Sequence, residues 1–184
     1  MKKVALFFFV LAFGFAEAQD PPRFVLDQSV DASKLDLETW SRVIWPVMMQ
    51  VMTPYQIPSE VKIIYTGNGF GSASCMEGSI FMGYYPQNRN LFYVEDPFYQ
   101  GFTHEMVHVL GPCPTNMENQ WYFNFGDDFL AEGYATAVKN LVYQKLSEIY
   151  PQQFVGKIPD SAIYEQAVNN NIPLQVGGGK FFIL

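Results

Sequence analysis

The sequence predicts an α+β domain, with strands gathered in the first half of the chain and helices in the second. Three observations carry this expectation. Between Val61 and Glu95, short β-favouring runs alternate with turns rich in glycine and asparagine. From Asp96 onward the chain turns to longer helical segments, opened by acidic caps and closed by Gly111-Pro112 or Pro151. No repeat, low-complexity tract or linker divides it, so residues 19–184 read as a single domain.

Residues 1–18 stand apart. MKKVALFFFVLAFGFAEA has two lysines, an apolar run from Val4 to Phe15 and a small-x-small Ala16-Glu17-Ala18 site. This is the pattern of a secretory signal peptide, with the remaining chain starting at Gln19. Residues 19–30 then read as an extended lead-in. Asp36 to Met52 has helical apolar spacing at Leu37, Trp40, Ile44, Val47, Met48 and Val51, with Pro46 expected to kink or split the helix.

VKIIYT, residues 61–66, reads as a strand, followed by a Gly67-Asn68-Gly69 turn. FGSASCMEG and SIFMGYY supply two further strands, and residues 87–90 a hairpin connection into a fourth, Leu91 to Glu95. The expected sheet is therefore a small mixed or antiparallel one of about four strands. TGNGFGS resembles a nucleotide loop only in composition. A phosphate cradle needs its glycines to open a helix, whereas β-favouring residues follow here. Asp96-Pro97 is a cap followed by proline at the first helical position, which sets a helix over about 97–110. Asp127 or Asp128 caps a second, running to about Tyr150, and Ser161 to Asn169 suggests a short third. VGGGKFFIL, residues 176–184, ends on apolar residues after three glycines and has two readings, a last docked strand or a chain shorter than its relatives.

Composition narrows the function classes. The net charge is −7, and no basic cluster interrupts it, which argues against nucleic acid and anionic membrane surfaces as partners. No second apolar stretch is long enough to span a bilayer. The expectation is a secreted or periplasmic monomer without stable membrane association. Its two cysteines, Cys75 and Cys113, then form a disulfide in the oxidising compartment.

The chain has only two histidines, and both lie on the first helix of the second half, in GFTHEMVHVLG at His104 and His108. Residues i and i+4 share a helix face, so both imidazoles can turn a nitrogen towards one zinc ion. Glu105 flanks that face and can take a proton from a water held there. His-Glu-x-x-His thus supplies two ligands and a base. The alternative is two neutral core histidines on a helix that also carries Phe102, Met106, Val107, Val109 and Leu110. The capped helix, and the concentration of both histidines in one motif, favour zinc.

A third ligand must come from another residue type. The third histidine of a metzincin would fall at Pro114, and no methionine follows Met117. Cys113 as a ligand would be strained and would forfeit the disulfide. Glu132, in FLAEGYATAV on the next helix, can complete a His₂Glu set with an open fourth position.

With HEMVH and Glu-Gly-Tyr-Ala at 132–135, residues 61–150 resemble the gluzincin metallopeptidases, the clan of thermolysin and the zinc aminopeptidases. The resemblance implies a zincin-like catalytic domain in which His104, His108 and Glu132 bind Zn²⁺ and Glu105 is general base and acid. It also implies a peptide or protein substrate, held on an edge strand that residues 79–95 would supply. The sequence departs from the clan at three places. Thr136 stands where thermolysin relatives carry an aspartate that orients a histidine. No histidine remains for the oxyanion, leaving Tyr122 or Tyr164. Cys75-Met76-Glu77-Gly78 lacks the asparagine of the aminopeptidases' amine-gripping stretch. A peptidase-like domain that keeps its zinc as a binding element is the alternative reading.

Overall fold

A computed structural model describes residues 19–67, 71–74, 76–111, 127–156, 174–176 and 179–181. The signal peptide expected at 1–18, the helix expected at 161–169, Cys75, Cys113, Tyr122 and Tyr164 lie outside the described residues. So do the side chains of Asp127 and Asp128.

The fold is α+β: a four-stranded mixed sheet with three long helices. The strands are β1 (Arg23–Leu26), β2 (Glu60–Tyr65), β3 (Ser72–Ser74) and β4 (Ser79–Met82), and the helices are α1 (Leu37–Val51), α2 (Pro97–Leu110) and α3 (Asp127–Ile149). A small antiparallel pair, β5 (Leu174–Val176) and β6 (Gly179–Phe181), lies against α3.

In space the sheet runs β1-β2-β4-β3. β1 pairs in parallel with β2, and β2 in parallel with β4, while β3 returns antiparallel to β4 as an edge. The lead-in expected to be merely extended therefore supplies a strand. With α1 as the crossover it forms a parallel β-α-β unit, the usual solution for parallel neighbours. β2 shows why its register is fixed: Glu60 and Lys62 are exposed, whereas Val61 and Ile63 are wholly buried.

α1 is not split at Pro46. The helix is continuous from Leu37 to Val51, with the Asp36 side chain accepting from the Thr39 amide at its start. Pro46 sits on the exposed face, where water can reach the carbonyl it leaves unpaired. Trp40, Ile44, Trp45 and Met48 are buried on the other face and hold both halves to the core.

The expected fourth strand at 91–95 is a second correction. These residues form turns, joined among the described residues by a single bridge between Tyr93 and Val155 after α3. Leu91 and Val94 are the buried residues there, a spacing of three rather than two. Phe92 packs instead on Tyr150 and Phe154. The 87–90 segment is likewise no hairpin, since Asn88 and Asn90 each accept a main-chain amide two residues on.

At the core, Phe24 of β1 meets Trp40 of α1 and Phe102 of α2 edge-on, at 5.7 and 5.6 Å between ring centroids. Trp40 also meets Phe102 at 5.2 Å. The indole of Trp40 donates to Thr103 Oγ1 at 3.1 Å, and Thr103 in turn donates to the Tyr99 carbonyl at 2.8 Å. Thr103 is the residue before His104, so the same packing that closes the core fixes the rotation of α2.

Candidate metal centre

α2 begins where the sequence places it. The Asp96 carboxylate accepts from the Phe98 amide, Pro97 takes the first helical position, and Gly111 closes the helix on the His108 carbonyl. Asp96 also accepts from the Asn88 amide, which spends both oxygens of a carboxylate that is only 5% exposed. Gln100, buried below it, donates to the Val94 carbonyl. The N-terminal turns of α2 are thus tied to the loop that precedes them.

α3 lies against α2 and brings Glu132 over the histidine face. His104 Nε2 is 2.9 Å from Glu132 Oε2 and 3.1 Å from His108 Nε2, and His108 Nε2 is 3.2 Å from Glu132 Oε1. The three sequence-predicted ligands therefore converge on one point, from two helices.

Their chemistry and spacing suit a zinc ion. Ligands at about 2.0–2.1 Å around a tetrahedral ion stand about 3.3 Å from one another, close to the separations found here. Burial and the neighbouring His108 hold His104 below its ordinary pKa, so that it stays neutral, as a metal ligand must be. Thr136, one turn after Glu132, sets its Oγ1 3.4 Å from His104 Nδ1. That contact faces the ring nitrogen away from the cluster and turns Nε2 inward. The histidine side chains are 15% and 19% exposed, whereas Glu132 is 54% exposed, so the cluster is open on the α3 side.

Glu105, the residue after His104, lines an open cleft between α2 and β4, with Gly71 at its side. Burial, reinforced by the charge of Glu132, raises its pKa to about 7. A carboxyl poised there can take and return a proton near neutral pH. Gly71, just before β3, runs beside it: a Cβ at that position would lie 3.5 Å from both Cγ and Oε1 of Glu105.

Two expectations about the surroundings change. The strand segment of 79–95 is not an edge, because β4 lies between β2 and β3. The edge beside Glu105 is β3, which pairs only with β4 among the described residues. Glu77, weighed as part of an amine grip, is exposed in the β3–β4 turn, at the far end of β3 from Gly71. Gly78, with φ +57°, closes that turn.

Gly71 and Tyr84 are the cleft residues that the motif does not reveal. Gly71 lies in a glycine-rich stretch with no distinguishing spacing, and Tyr84 is one tyrosine among 11. No protein-family model matches the chain, and neither a curated protein nor a solved structure matches it.

Proposed function

We propose that the protein is a secreted zinc metallopeptidase of gluzincin type that hydrolyses peptide bonds. The observation that carries this reading is the meeting of His104 and His108 with a carboxylate from the next helix, with Glu105 one residue away in a cleft. A closed structural site would use four protein ligands. Three ligands among the described residues, beside a carboxyl held near neutrality, is the arrangement of a hydrolytic one.

In this reading His104, His108 and Glu132 hold the metal, and Thr136 fixes the ring of His104. Zinc, when bound, supplies a Lewis acid towards a carbonyl and a water. Glu105 accepts a proton from the attacking water, and its raised pKa lets it keep that proton until it passes to the departing amine. Among the described residues β3 pairs only with β4, and its other side offers main-chain donors and acceptors to an extended peptide, which is how sheet edges hold such ligands. Residues of that peptide next to Gly71 come alongside Glu105, because glycine lets the two backbones approach closely.

The test is Glu105→Gln, compared with wild type for zinc content and peptide cleavage. Loss of the proton carrier is expected to lower kcat/KM by about 10²–10⁴-fold with zinc retained. Equal cleavage by both would refute the role of Glu105. Zinc held by both, with no cleavage by either, would identify a zinc-bearing binding module instead.

A further inference from the structure

β1 ends the sheet on the side opposite β3, and among the described residues it pairs only with β2. The amides of Arg23 and Asp27 donate inward, to the carbonyls of Ser59 and Ile63. Main-chain groups alternate along a strand, so the N–H and C=O groups of Phe24 and Leu26 face outward. Such a row of unpaired groups is a template for another strand. The flanks turn away from it. The Trp45 indole draws Gln19 onto α1, and Ser29 turns back over β2, where its hydroxyl accepts from the Tyr65 amide. Along this edge Arg23-Phe24-Val25-Leu26-Asp27 reads cation, apolar run, anion. Reversed, it is its own complement.

We infer that β1 docks a second copy of this chain, antiparallel, about a two-fold axis through Val25. The inference is independent of the metal site, and it replaces the monomer expected from the sequence. Phe24 of one copy then lies opposite Leu26 of the other, and the outward groups of each such pair exchange both main-chain bonds. Arg23 lies opposite the other copy's Asp27. The Phe24 ring faces Trp40 and Phe102, so Arg23, Val25 and Asp27 lie on the opposite face of the sheet, clear of the helices. Arg23 already pairs with Glu60, and Asp27 with Lys62 at 3.2 Å. The Arg23 side chain is 70% exposed, and a guanidinium has donors for a second carboxylate. Charge selects the register. Centred on Phe24, the pairing sets Arg23 opposite Val25, and centred on Leu26 it sets Asp27 opposite Val25. A centre on Val25 matches both charges. Pro21 and Pro22, which lack an N–H, stop the pairing from extending past Arg23. The joined sheets keep both β3 edges at their far ends, so association leaves those edges open.

The experiment is sedimentation velocity of the zinc-loaded protein, in a concentration series up to about 1 mM. Wild type is expected to pass from monomer to a closed dimer as the concentration rises. Arg23→Asp and Asp27→Arg each set like charges across the axis, and each should weaken the dimer by about tenfold or more. Exposed ion pairs add little to folding, so both variants should keep the circular dichroism of wild type. Mixed in equal amounts, the two variants set every cation opposite an anion again. They should therefore dimerise with each other about as tightly as wild type does with itself. A wild type that stays monomeric throughout the series would overturn the inference. So would a dimer that both variants form unchanged, or a mixture that stays monomeric where wild type is dimeric.

Discussion

Zinc should stabilise the protein through Glu132, and Glu132→Gln should remove most of that stabilisation. The three donor atoms already stand 2.9–3.2 Å apart, so an ion can join α2 to α3 with little rearrangement. An ion that binds only the folded chain adds about 2.7 kcal/mol when present at 100 times its dissociation constant. For a chain of this size each kcal/mol is worth about 2–4 °C, so the melting temperature should rise by roughly 5–11 °C. Glu132→Gln removes the one anionic donor. Because Glu132 is 54% exposed, its ion pairing with the histidines contributes little, and the metal-free variant should melt within about 3 °C of wild type. Circular dichroism melts in chelator and at a fixed free zinc concentration separate the two effects. A rise in wild type that falls below about 2 °C in the variant is expected from losing that donor. An equal rise in both would show that zinc binds elsewhere, and no rise in wild type would refute the site.

Other consequences follow from the same geometry. Thr136→Val removes the hydroxyl beside His104 Nδ1 and should weaken zinc binding by about 10–100-fold in competition titrations, whereas Thr136→Asp should tighten it. Trp40→Ala, at a wholly buried position that touches β1 and α2, should cost about 3–5 kcal/mol in urea unfolding. In metal-free protein, Glu105 has its folded pKa raised from 4.5 to about 7, so its protonated form is favoured by folding. That contribution is complete below pH 4.5 and is lost as the pH rises through about 7. Glu105→Gln should therefore gain stability relative to wild type across that window. His104, with its pKa lowered, acts in the opposite direction in both proteins, so the difference between them isolates Glu105.

The second half of the fold was legible because its signals are local. Asp96-Pro97 and Gly111-Pro112 bound α2 without help from the rest of the chain, and the run up to Pro151 contains α3. The ligand cluster followed from the same source, since i and i+4 on a helix need no tertiary information and Glu132 needed only a neighbouring helix. Sheet pairing depends on partners far apart in sequence. RFVL at 23–26 carries no alternation of its own and becomes a strand by pairing with β2 across α1. Leu91 to Glu95 has a strand's composition but buries Leu91 and Val94 in a loop. Pro46 failed to break α1 because buried side chains on either side, Trp40 and Trp45 before it and Val47 and Met48 after it, outweigh one lost hydrogen bond on the exposed face. The cleft was hidden for the same reason as the sheet order: Gly71, Tyr84 and Gly101 meet only in three dimensions.

The most direct measurement is cleavage of a diverse peptide mixture by the zinc-loaded protein, read by mass spectrometry before chelation, after it and after zinc is restored. The account predicts cuts that disappear with the metal, return with it and stay absent in Glu105→Gln. Cuts that persist in chelator, or an intact mixture incubated with folded, zinc-loaded protein, would contradict it.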